Sequence, residues 1–309
     1  MKTEHNWGWP IAGYLFLGGL GGGCVIVSSA ADLFWGQGQI FALGSLVAAI
    51  LIGLGSGLLI FELGRPLQFW RVFSTQKAIM TVGAWMLSIL IVTSVIYFSF
   101  WPVFSPWREA AGLRQAFAGL NLILGLGVCT YTGILLGNLR ARRFWNTPVL
   151  PVLFLVSGLS NGLGAQSLMA GAWPYMGSQA QVDLAHARLQ PLDLGLISLE
   201  LVIVLIYVLM MRSTAGEDAG RIAEEWLSGP KKLAFWGGLV GAGLLIPGLL
   251  YIIPTEGIGA TLAPIFVLVG GLVLRFLVVY ADKRTQLPGE AEYYSRLPDS
   301  DELFLKAWK

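Results

Sequence analysis

The apolar positions of this 309-residue chain fall into eight long, nearly uninterrupted runs. A helix needs about 20 apolar residues to cross a bilayer core about 30 Å thick, and each run meets that length. The runs are continuous, unlike the alternating strands of a membrane β-barrel. The pattern predicts an all-α polytopic membrane protein, a bundle of eight transmembrane helices. The predicted spans are 10–31, 40–61, 79–101, 116–137, 149–170, 192–211, 233–253 and 260–280.

The organisation within the bundle also follows from the pattern. The first and fifth spans are both Gly-rich and would each open a four-helix half. The first span is too long for the apolar core of a signal peptide, so we expect it to be retained. We predict that residues 1–281 form the eight-helix membrane domain. Residues 282–309, which mix both charges with turn-forming residues, form the C-terminal tail.

Two loops between the spans are long. In the loop 212–232, Ile222 and Trp226 lie four residues apart, which is typical of one face of a short helix in the membrane interface. The segment 171–191, with His186, is predicted to be the longest loop on the opposite side.

Composition strengthens the membrane interpretation. Only 12% of the residues are charged and the mean hydropathy is +0.69, whereas soluble domains carry about 25% charged residues. A soluble enzyme is therefore excluded. The net charge of +2 does not indicate the strongly basic surface that nucleic-acid binding needs. Both cysteines, Cys24 and Cys129, lie in apolar runs, so neither a disulfide framework nor a thiolate metal cluster is predicted.

Basic residues are distributed unevenly between the two sides of the membrane. Sixteen of the twenty Lys and Arg residues lie at the termini and in the loops after spans 2, 4 and 6. Basic loops stay in the cytoplasm, so we predict a multi-pass protein of the inner (cytoplasmic) membrane with both termini cytoplasmic. The opposite loops hold three basic residues, Arg108, Arg114 and Arg188.

The histidine content limits the electron carriers. The chain has two histidines, His5 and His186, and neither falls within a predicted span. A b-type haem held between transmembrane histidines cannot be built from them, so no haem is expected. The Gly-rich run at 18–23 lies within a span, where close helix packing is a better interpretation than a nucleotide loop. If the protein takes part in redox chemistry, its electron carriers must belong to a partner.

Three segments together resemble the membrane subunit of the polysulfide reductase (NrfD/PsrC) family. The first is Tyr-Leu-Phe-Leu-Gly-Gly-Leu-Gly-Gly-Gly at 14–23, and the second is Phe-Glu-Leu-Gly-Arg-Pro-Leu-Gln-Phe-Trp at 61–70. The third comprises Tyr-Thr-Gly-Ile-Leu-Leu at 131–136, Trp145, Pro148 and Ser-Gly-Leu-Ser-Asn-Gly-Leu-Gly at 157–164. The resemblance extends over most of residues 7–281.

This resemblance implies a quinone-reactive membrane subunit of a respiratory oxidoreductase complex, as in anaerobic respiration. Menaquinone or ubiquinone would bind within the helix bundle among membrane lipid. A ferredoxin-like iron–sulfur partner subunit would hold the clusters that exchange electrons with the quinone, and a molybdopterin catalytic subunit would complete the complex.

The resemblance also implies site residues. Tyr14 and Tyr131 match quinone-pocket positions of the family, and both fall in the half of the bilayer nearer the termini; the alternative is that they belong to the interfacial aromatic belt. Gly18 and Gly21 could leave a groove for the quinone or let helices pack closely.

Charged residues supply the remaining candidates. Glu62 and Arg65 lie three residues apart at the inner end of span 2. They could form either a pair at the edge of the quinone pocket or an ion pair in the membrane interface. Glu200 lies deep in span 6, where a carboxylate costs several kcal/mol unless it is paired or hydrated. Its basic counterpart within a span is Arg275, so the two form either a structural ion pair or a proton route.

Two other functions are compatible with the sequence. A secondary transporter is supported by the Gly-rich helices that open the two halves. A purely structural membrane anchor would need no quinone chemistry at all.

Overall fold

The computed structural model describes residues 8–62, 66–74, 78–102, 104–139, 142–170, 178–213, 216–253 and 258–281, and all of its regular secondary structure is helical. Eight stretches in this part of the chain are long and apolar enough to cross a membrane, which confirms the predicted eight-helix architecture. The helices are α1 (Trp9–Trp35), α2 (Gly38–Phe61), a 3-10 helix (Pro66–Ser74), α3 (Ile79–Ser99), α4 (Ala111–Gly137), α5 (Val149–Met169), α6 (Gln179–Ser213), α7 (Glu217–Leu227), a π-helical segment (Leu233–Leu245), α8 (Ile246–Ile252) and α9 (Ile258–Val279). Residues 282–309, His5 and Arg65 lie outside the described ranges.

The helices form two four-helix bundles, as the Gly-rich first and fifth spans predicted. In the first bundle, α1 packs on α2 and α4, and α3 closes the ring between α2 and α4. In the second bundle, α5 packs on α6 and α9, and the seventh span, made of the π-helical segment and α8, lies between α6 and α9. Contacts of α1 with α5 and α9, and of α4 with α5, join the two bundles.

The two ends of the bundle are distinct. Trp145 donates a hydrogen bond to the carbonyl oxygen of Val278 (2.7 Å), and Lys231 donates to that of Tyr280 (2.7 Å), so the loops after α4 and α7 meet the end of α9. We call this end, where α1 also begins, the terminal face. At the opposite end, the far face, Arg188 of α6 donates to Gln37 after α1 (3.1 Å).

The glycine run of α1 serves close helix packing, as predicted. Three glycines of this run each face a different neighbouring helix. A Cβ atom added to any of them would lie within 3.2 Å of a backbone atom of that helix. The backbones can approach this closely because glycine has no side chain. The pairs are Gly21 with Ala48 of α2, Gly22 with Gly125 of α4, and Gly23 with Gly162 of α5.

The prediction of a loop at 171–191 is wrong from residue 179 onward. Helix α6 begins at Gln179 and continues through Pro191, 13 residues before the predicted start of span 6. The apolar residues Val182, Ala185 and Leu189 lie at helical spacing, and all three are buried. Hydropathy did not detect this face because polar residues and Pro191 lie among its apolar positions. His186 therefore lies in a helix, with Nε2 3.0 Å from the carbonyl oxygen of Ser167.

Two other spans differ from their predicted form. Helix α4 starts at Ala111 rather than 116, so Arg114 is helical rather than in a loop. The seventh span is π-helical over Leu233–Leu245 before it becomes α-helical at Ile246. Pro247 cannot donate to the helical ladder, and the glycines before it let the wider turns pack closely, as at Gly243 against Gly270.

Helix α7 confirms the helix predicted after span 6. Ile222 and Trp226 are both buried on its inner face. The indole of Trp226 contacts the rings of Phe144 and Phe235, with centroids 4.9 and 5.8 Å away. This aromatic cluster anchors α7 across the terminal face of the second bundle.

Candidate functional site

A cavity of about 220 Å³ lies within the first bundle, toward the terminal face. Ligand pockets for drug-sized molecules measure about 300–1,000 Å³, so this volume suits a single ring system better than a whole isoprenoid molecule. The lining is apolar except for four hydroxyl-bearing side chains. The lining residues are Tyr14, Ser56, Leu59, Ile60, Phe69, Val72, Phe73, Met80, Ala84, Leu87, Ser88, Ile91 and Tyr131.

The structure brings Tyr14 and Tyr131 together in this cavity. Their side chains interact directly, Tyr14 from α1 and Tyr131 from α4. Tyr14 is 1% exposed, and within the described ranges its hydroxyl has no neighbouring partner other than the Tyr131 hydroxyl. Two paired phenols use only one O–H between them, so the second O–H is left to donate to a ligand acceptor that enters the cavity.

The positions of both tyrosines follow from the packing of α2 and α3. A Cβ atom at Gly83 of α3 would overlap the phenol of Tyr131, so the ring lies directly against the α3 backbone. Gly55 of α2 lies against α1 near Tyr14, since a Cβ there would be 3.2 Å from Cβ of Leu17 and in ordinary contact, at 3.6 Å, with Cα of Tyr14. Sequence reasoning missed Gly83, because only the tertiary packing of α3 on α4 distinguishes it from other glycines.

The 3-10 helix that follows α2 covers the terminal-face end of the cavity. Phe69, Val72 and Phe73 of this helix line it. The carbonyl oxygen of Val72 accepts a hydrogen bond from Thr81 (2.7 Å), and Phe73 makes an edge-to-face contact with Trp85 (5.2 Å between centroids). These contacts to α3 hold the cover in place. Its role was missed, because the segment is too short for a periodicity signal.

The cavity opens to the outside of the bundle beside this cover. Phe69 and Met80 line it and remain 42% and 41% exposed. Ser56 also lines it, and its hydroxyl has no partner in the described chain. The site therefore combines an apolar slot, a pair of neighbouring phenols, an unpartnered serine hydroxyl and an opening at the edge of α3.

The other first-bundle candidates lie outside the lining. Gly21 packs on α2, and Gly18 has open space where a side chain would be, but neither lines the cavity. The carboxylate of Glu62 lies against Gly8 at the start of α1: an added Cβ on Gly8 would be 3.1 Å from Oε1. Glu62 is two residues beyond Ile60, which lines the cavity, and Arg65 is not described.

Glu200 and Arg275, for which the sequence left an ion pair and a proton route open, do not contact each other directly. Both residues are buried in the second bundle, but no carboxylate oxygen of Glu200 lies within 4.0 Å of the Arg275 guanidinium. Ser157 of α5 lies between them: its hydroxyl accepts a hydrogen bond from Arg275 and is next to Glu200. Arg275 also donates to the carbonyl oxygen of Phe154 (3.3 Å), whose ring lies 4.7 Å away. The positions of Glu200 and Arg275 within their spans indicated a possible pair, but position along the chain could not show that Ser157 lies between them.

Sequence reasoning also missed a second buried carboxylate. Asp193 of α6 is 1% exposed and accepts hydrogen bonds from Ser160 of α5 (2.7 Å) and Tyr251 of α8 (2.9 Å). Asp193 is the second residue of the predicted span 192–211, a position where a carboxylate is expected to reach water.

A larger cavity, of about 450 Å³, lies between α1, α5 and α6 toward the far face. Its lining is aliphatic apart from Trp35 and Pro191, so it offers little for a polar head group. Size alone would favour this cavity, but the hydroxyl groups that line the smaller cavity favour the smaller one.

Comparison with known proteins agrees with this architecture. Residues 1–285 match the family described as polysulphide reductase, NrfD. The chain belongs to this family. It is 32% identical to a polysulfide reductase chain of Wolinella succinogenes over 303 residues, which cover 89% of this chain and 93% of that protein. It is 30% identical to protein NrfD of Escherichia coli K12, over 90% of this chain and 95% of that protein.

A more distant relative widens the range of reductases. A selenate reductase subunit of Mesobacillus selenatarsenatis is 24% identical, over 90% of this chain and 74% of that protein. The resemblance stated from the three sequence segments is thus confirmed. This NrfD-family chain is a multi-pass membrane protein whose relatives include a polysulfide reductase chain and a selenate reductase subunit.

Proposed function

We propose that this chain is the quinone-reactive membrane subunit of a respiratory oxidoreductase complex. The observation that carries the proposal is the pair of neighbouring phenols, Tyr14 and Tyr131, in an apolar cavity where the Tyr14 hydroxyl has no described partner other than Tyr131. A quinone ring offers apolar faces and carbonyl acceptors, which match an apolar slot with hydroxyl donors. The isoprenoid tail, of menaquinone or ubiquinone, leaves through the opening beside Met80 into lipid.

The reaction at this site exchanges two electrons and two protons with the quinone (Q + 2e⁻ + 2H⁺ ⇌ QH₂). Tyr14 and Tyr131 hold the ring by hydrogen bonds to a carbonyl oxygen, and the apolar lining excludes bulk water. Glu62, at the terminal face beside the start of α1, is proposed as a pocket-edge carboxylate, together with Arg65. Catalysis is proposed to depend on partner subunits, because a haem held between histidines of two spans needs a pair, and His186 of α6 has as its only other histidine in the sequence His5, which precedes α1.

The partner that exchanges electrons is proposed to be a ferredoxin-like iron–sulfur subunit, joined to a molybdopterin catalytic subunit. Tyr14 lies five residues from the start of α1 and Tyr131 six residues from the end of α4, so both are within about 10 Å of the terminal face. A cluster docked on this face is therefore near the cavity. The basic residues of the loops after spans 2, 4 and 6 orient the face toward the cytoplasm, in the inner membrane.

The transporter alternative receives less support from the structure. An inverted-repeat transporter would place its substrate site at the interface between its two halves. Here the polar cavity lies within one bundle, and the cavity between the two bundles is lined almost entirely by apolar side chains. Asp193 and Glu200 lie within the second bundle rather than in either cavity lining. A purely structural anchor would not explain the hydroxyl groups that converge on the polar cavity.

Replacing Tyr131 with phenylalanine tests the proposal. The change removes one hydroxyl and keeps the ring, so we expect the affinity for quinone to fall by about threefold to tenfold, the value of one hydrogen bond of about 0.5–1.5 kcal/mol. The measurement is a binding titration of the purified full chain with a short-tail naphthoquinone and a short-tail benzoquinone. Tyr280→Phe is the control, because Tyr280 lies outside the cavity at the end of α9. Unchanged affinity in both Tyr14→Phe and Tyr131→Phe would contradict the assignment, and a complex without quinone-dependent activity would favour the structural anchor.

Gly83 provides a second, independent test of the same site. Gly83→Ala places a methyl group where the Tyr131 phenol lies, so the ring must move away from its position beside Tyr14. We expect quinone affinity to fall by about as much as in Tyr131→Phe, about threefold to tenfold, because the same hydrogen bond is lost. Gly53→Ala on α2 is the matched control, since a Cβ there meets nothing within 4 Å. Normal binding by Gly83→Ala would show that Tyr131 does not hold the ring from this position.

A further inference from the structure

The second bundle contains a column of buried polar side chains that the quinone site does not use. Helices α5 and α6 each contribute two residues that face one another in antiparallel order. Ser160 donates to Asp193 (2.7 Å), and Ser157, one turn nearer the terminal face, lies beside Glu200. Asp193 and Glu200 are seven residues apart, so they share a face of α6 and are separated by about 10 Å along the helix.

The column continues at both ends. Toward the far face, the hydroxyl of Tyr251, next to the last residue of α8, donates to Asp193 (2.9 Å). Toward the first bundle, Arg275 of α9 donates to Ser157, and its guanidinium reaches α1, where a Cβ at Gly19 would lie 3.2 Å from Nη2. Gly18, beside Gly19 and one helical turn from Tyr14, borders open space within the bundle.

The charges in the column do not balance if every group is ionised. Asp193 and Glu200 face Ser157 and Ser160 on α5, Tyr251 on α8 and Arg275 on α9; Arg275 also faces the neutral thiol of Cys129 on α4. Two carboxylates thus share a single cation among the described residues that face them. An uncompensated charge at this depth costs several kcal/mol, so the neutral form of the column carries one proton on the carboxylate pair.

The column also contains polar atoms that need water. Oδ1 of Asn161 and Nε of Arg275 have no hydrogen-bond partner in the described part of the chain, although Asn161 donates to the carbonyl oxygen of Ser157 (2.7 Å). Buried polar atoms of this kind are usually satisfied by ordered water. Water at these positions would connect the Asp193 and Glu200 levels of the column.

We propose that Asp193 and Glu200, with Arg275, form a proton relay between the far face and the quinone cavity. This proposal rests on the proposed quinone reaction at Tyr14 and Tyr131. For each quinone reduced, two electrons arrive from the iron–sulfur partner and two protons pass in succession from the far face through Asp193 and Glu200 to the ring; quinol oxidation reverses both flows. Electrons and protons therefore meet the quinone from opposite faces, so turnover separates charge across the membrane.

The test uses the complex purified through the tagged full chain and reconstituted in proteoliposomes. In Asp193→Asn and Glu200→Gln, quinone-dependent turnover should fall by about tenfold or more, a part of the 10²–10⁴-fold that a positioned proton donor contributes. Short-tail naphthoquinone affinity should stay within about twofold, because neither residue touches the cavity. The membrane potential formed per electron transferred should fall as well. Asp183→Asn, an exposed carboxylate on the same helix, is the control and should behave as wild type.

A second readout does not depend on turnover. In infrared difference spectra of the purified chain, a protonated-carboxyl C=O band that shifts in D₂O should be present in wild type and Asp183→Asn, and altered in Asp193→Asn and Glu200→Gln. Tyr251→Phe removes one hydrogen bond to Asp193 and should shift the band even if the carboxylate variants fail to assemble. Variants that lower thermal stability but keep wild-type turnover, charge separation and infrared bands would overturn the relay and leave a structural cluster. Failure of quinone binding in the wild type would instead refute the proposed function.

Discussion

Replacing Gly23 with alanine is expected to lower the free energy of unfolding of the purified chain by about 3 kcal/mol, the upper end of the usual cost of overpacking a core. The new methyl group would overlap the carbonyl group of Gly158 and lie 3.0 Å from Cα of Gly162, both in the backbone of α5. A backbone cannot rotate away as a flexible side chain can. Helices α1 and α5 must therefore separate, and with them the two bundles.

Gly18→Ala is the matched control for this prediction. It is the same substitution in the same helix, five residues earlier, where a Cβ meets nothing within 4 Å. Alanine also has the higher helix propensity, so stability should be unchanged or slightly higher. Steric-trapping or detergent-unfolding titrations of both variants provide the measurement. Equal stability of Gly23→Ala and Gly18→Ala would show that the α1–α5 crossing is looser than the structure indicates.

The spans were predictable because the bilayer imposes one simple requirement on each helix, a continuous apolar run of sufficient length. Seven of the eight predicted spans begin within five residues of the observed helix. The exception is α6, whose first turns project beyond the apolar run. Charged residues such as Asp183 and Arg188 conceal the buried positions Ala185 and Leu189 there, and the helix continues through Pro191. Hydropathy detects burial in lipid but not burial against another helix.

The candidate site was predictable only in its tyrosines. Tyr14 and Tyr131 came from the resemblance, and the equal depth expected for them agrees with their direct contact. Gly83, Ser56 and the 3-10 cover could not be found in the same way. Each depends on which face of α2 or α3 turns toward the cavity, and both helices are largely apolar on all sides. Without amphipathic periodicity, rotation about the helix axis is not encoded locally.

The partners of the buried charges in the second bundle could not be predicted from the sequence either. Glu200 and Arg275 were recognised because charges are rare in membrane spans, but their partners were not. Ser157 lies between them, and Asp193 belongs to the same column. A serine in a membrane helix has many roles, so only the antiparallel register of α5 and α6 reveals that two serines face two carboxylates.

The far face of the first bundle is held by a buried ion pair that sequence reasoning did not pair. Arg114 of α4 donates two hydrogen bonds to Asp32 of α1, at 3.0 and 3.1 Å, and Tyr97 of α3 donates a third (3.2 Å). The guanidinium also lies 4.5 Å from the centre of the Trp101 ring. Three helices of the first bundle are therefore tied together at the end opposite the cavity cover.

Removing either partner of this pair is expected to be strongly destabilising. Asp32→Ala leaves the Arg114 guanidinium and the Tyr97 hydroxyl without their acceptor, and Arg114→Ala leaves a carboxylate that is 1% exposed without its cation. Breaking a buried pair costs about 3–5 kcal/mol, and we expect about 3 kcal/mol here because the Arg114 side chain is 20% exposed. Unfolding titrations of the two single variants measure this directly.

The double variant Asp32→Ala/Arg114→Ala separates the pair from its surroundings. Most of the cost of each single variant comes from the charge left behind, so the double variant should lose less stability than the sum of the two, by at least about 1 kcal/mol. Quinone affinity should be unchanged in molecules that remain folded, since neither residue lines the cavity. Additive losses would show that Asp32 and Arg114 act independently, and that Tyr97 rather than the ion pair holds α1 to its neighbours at the far face.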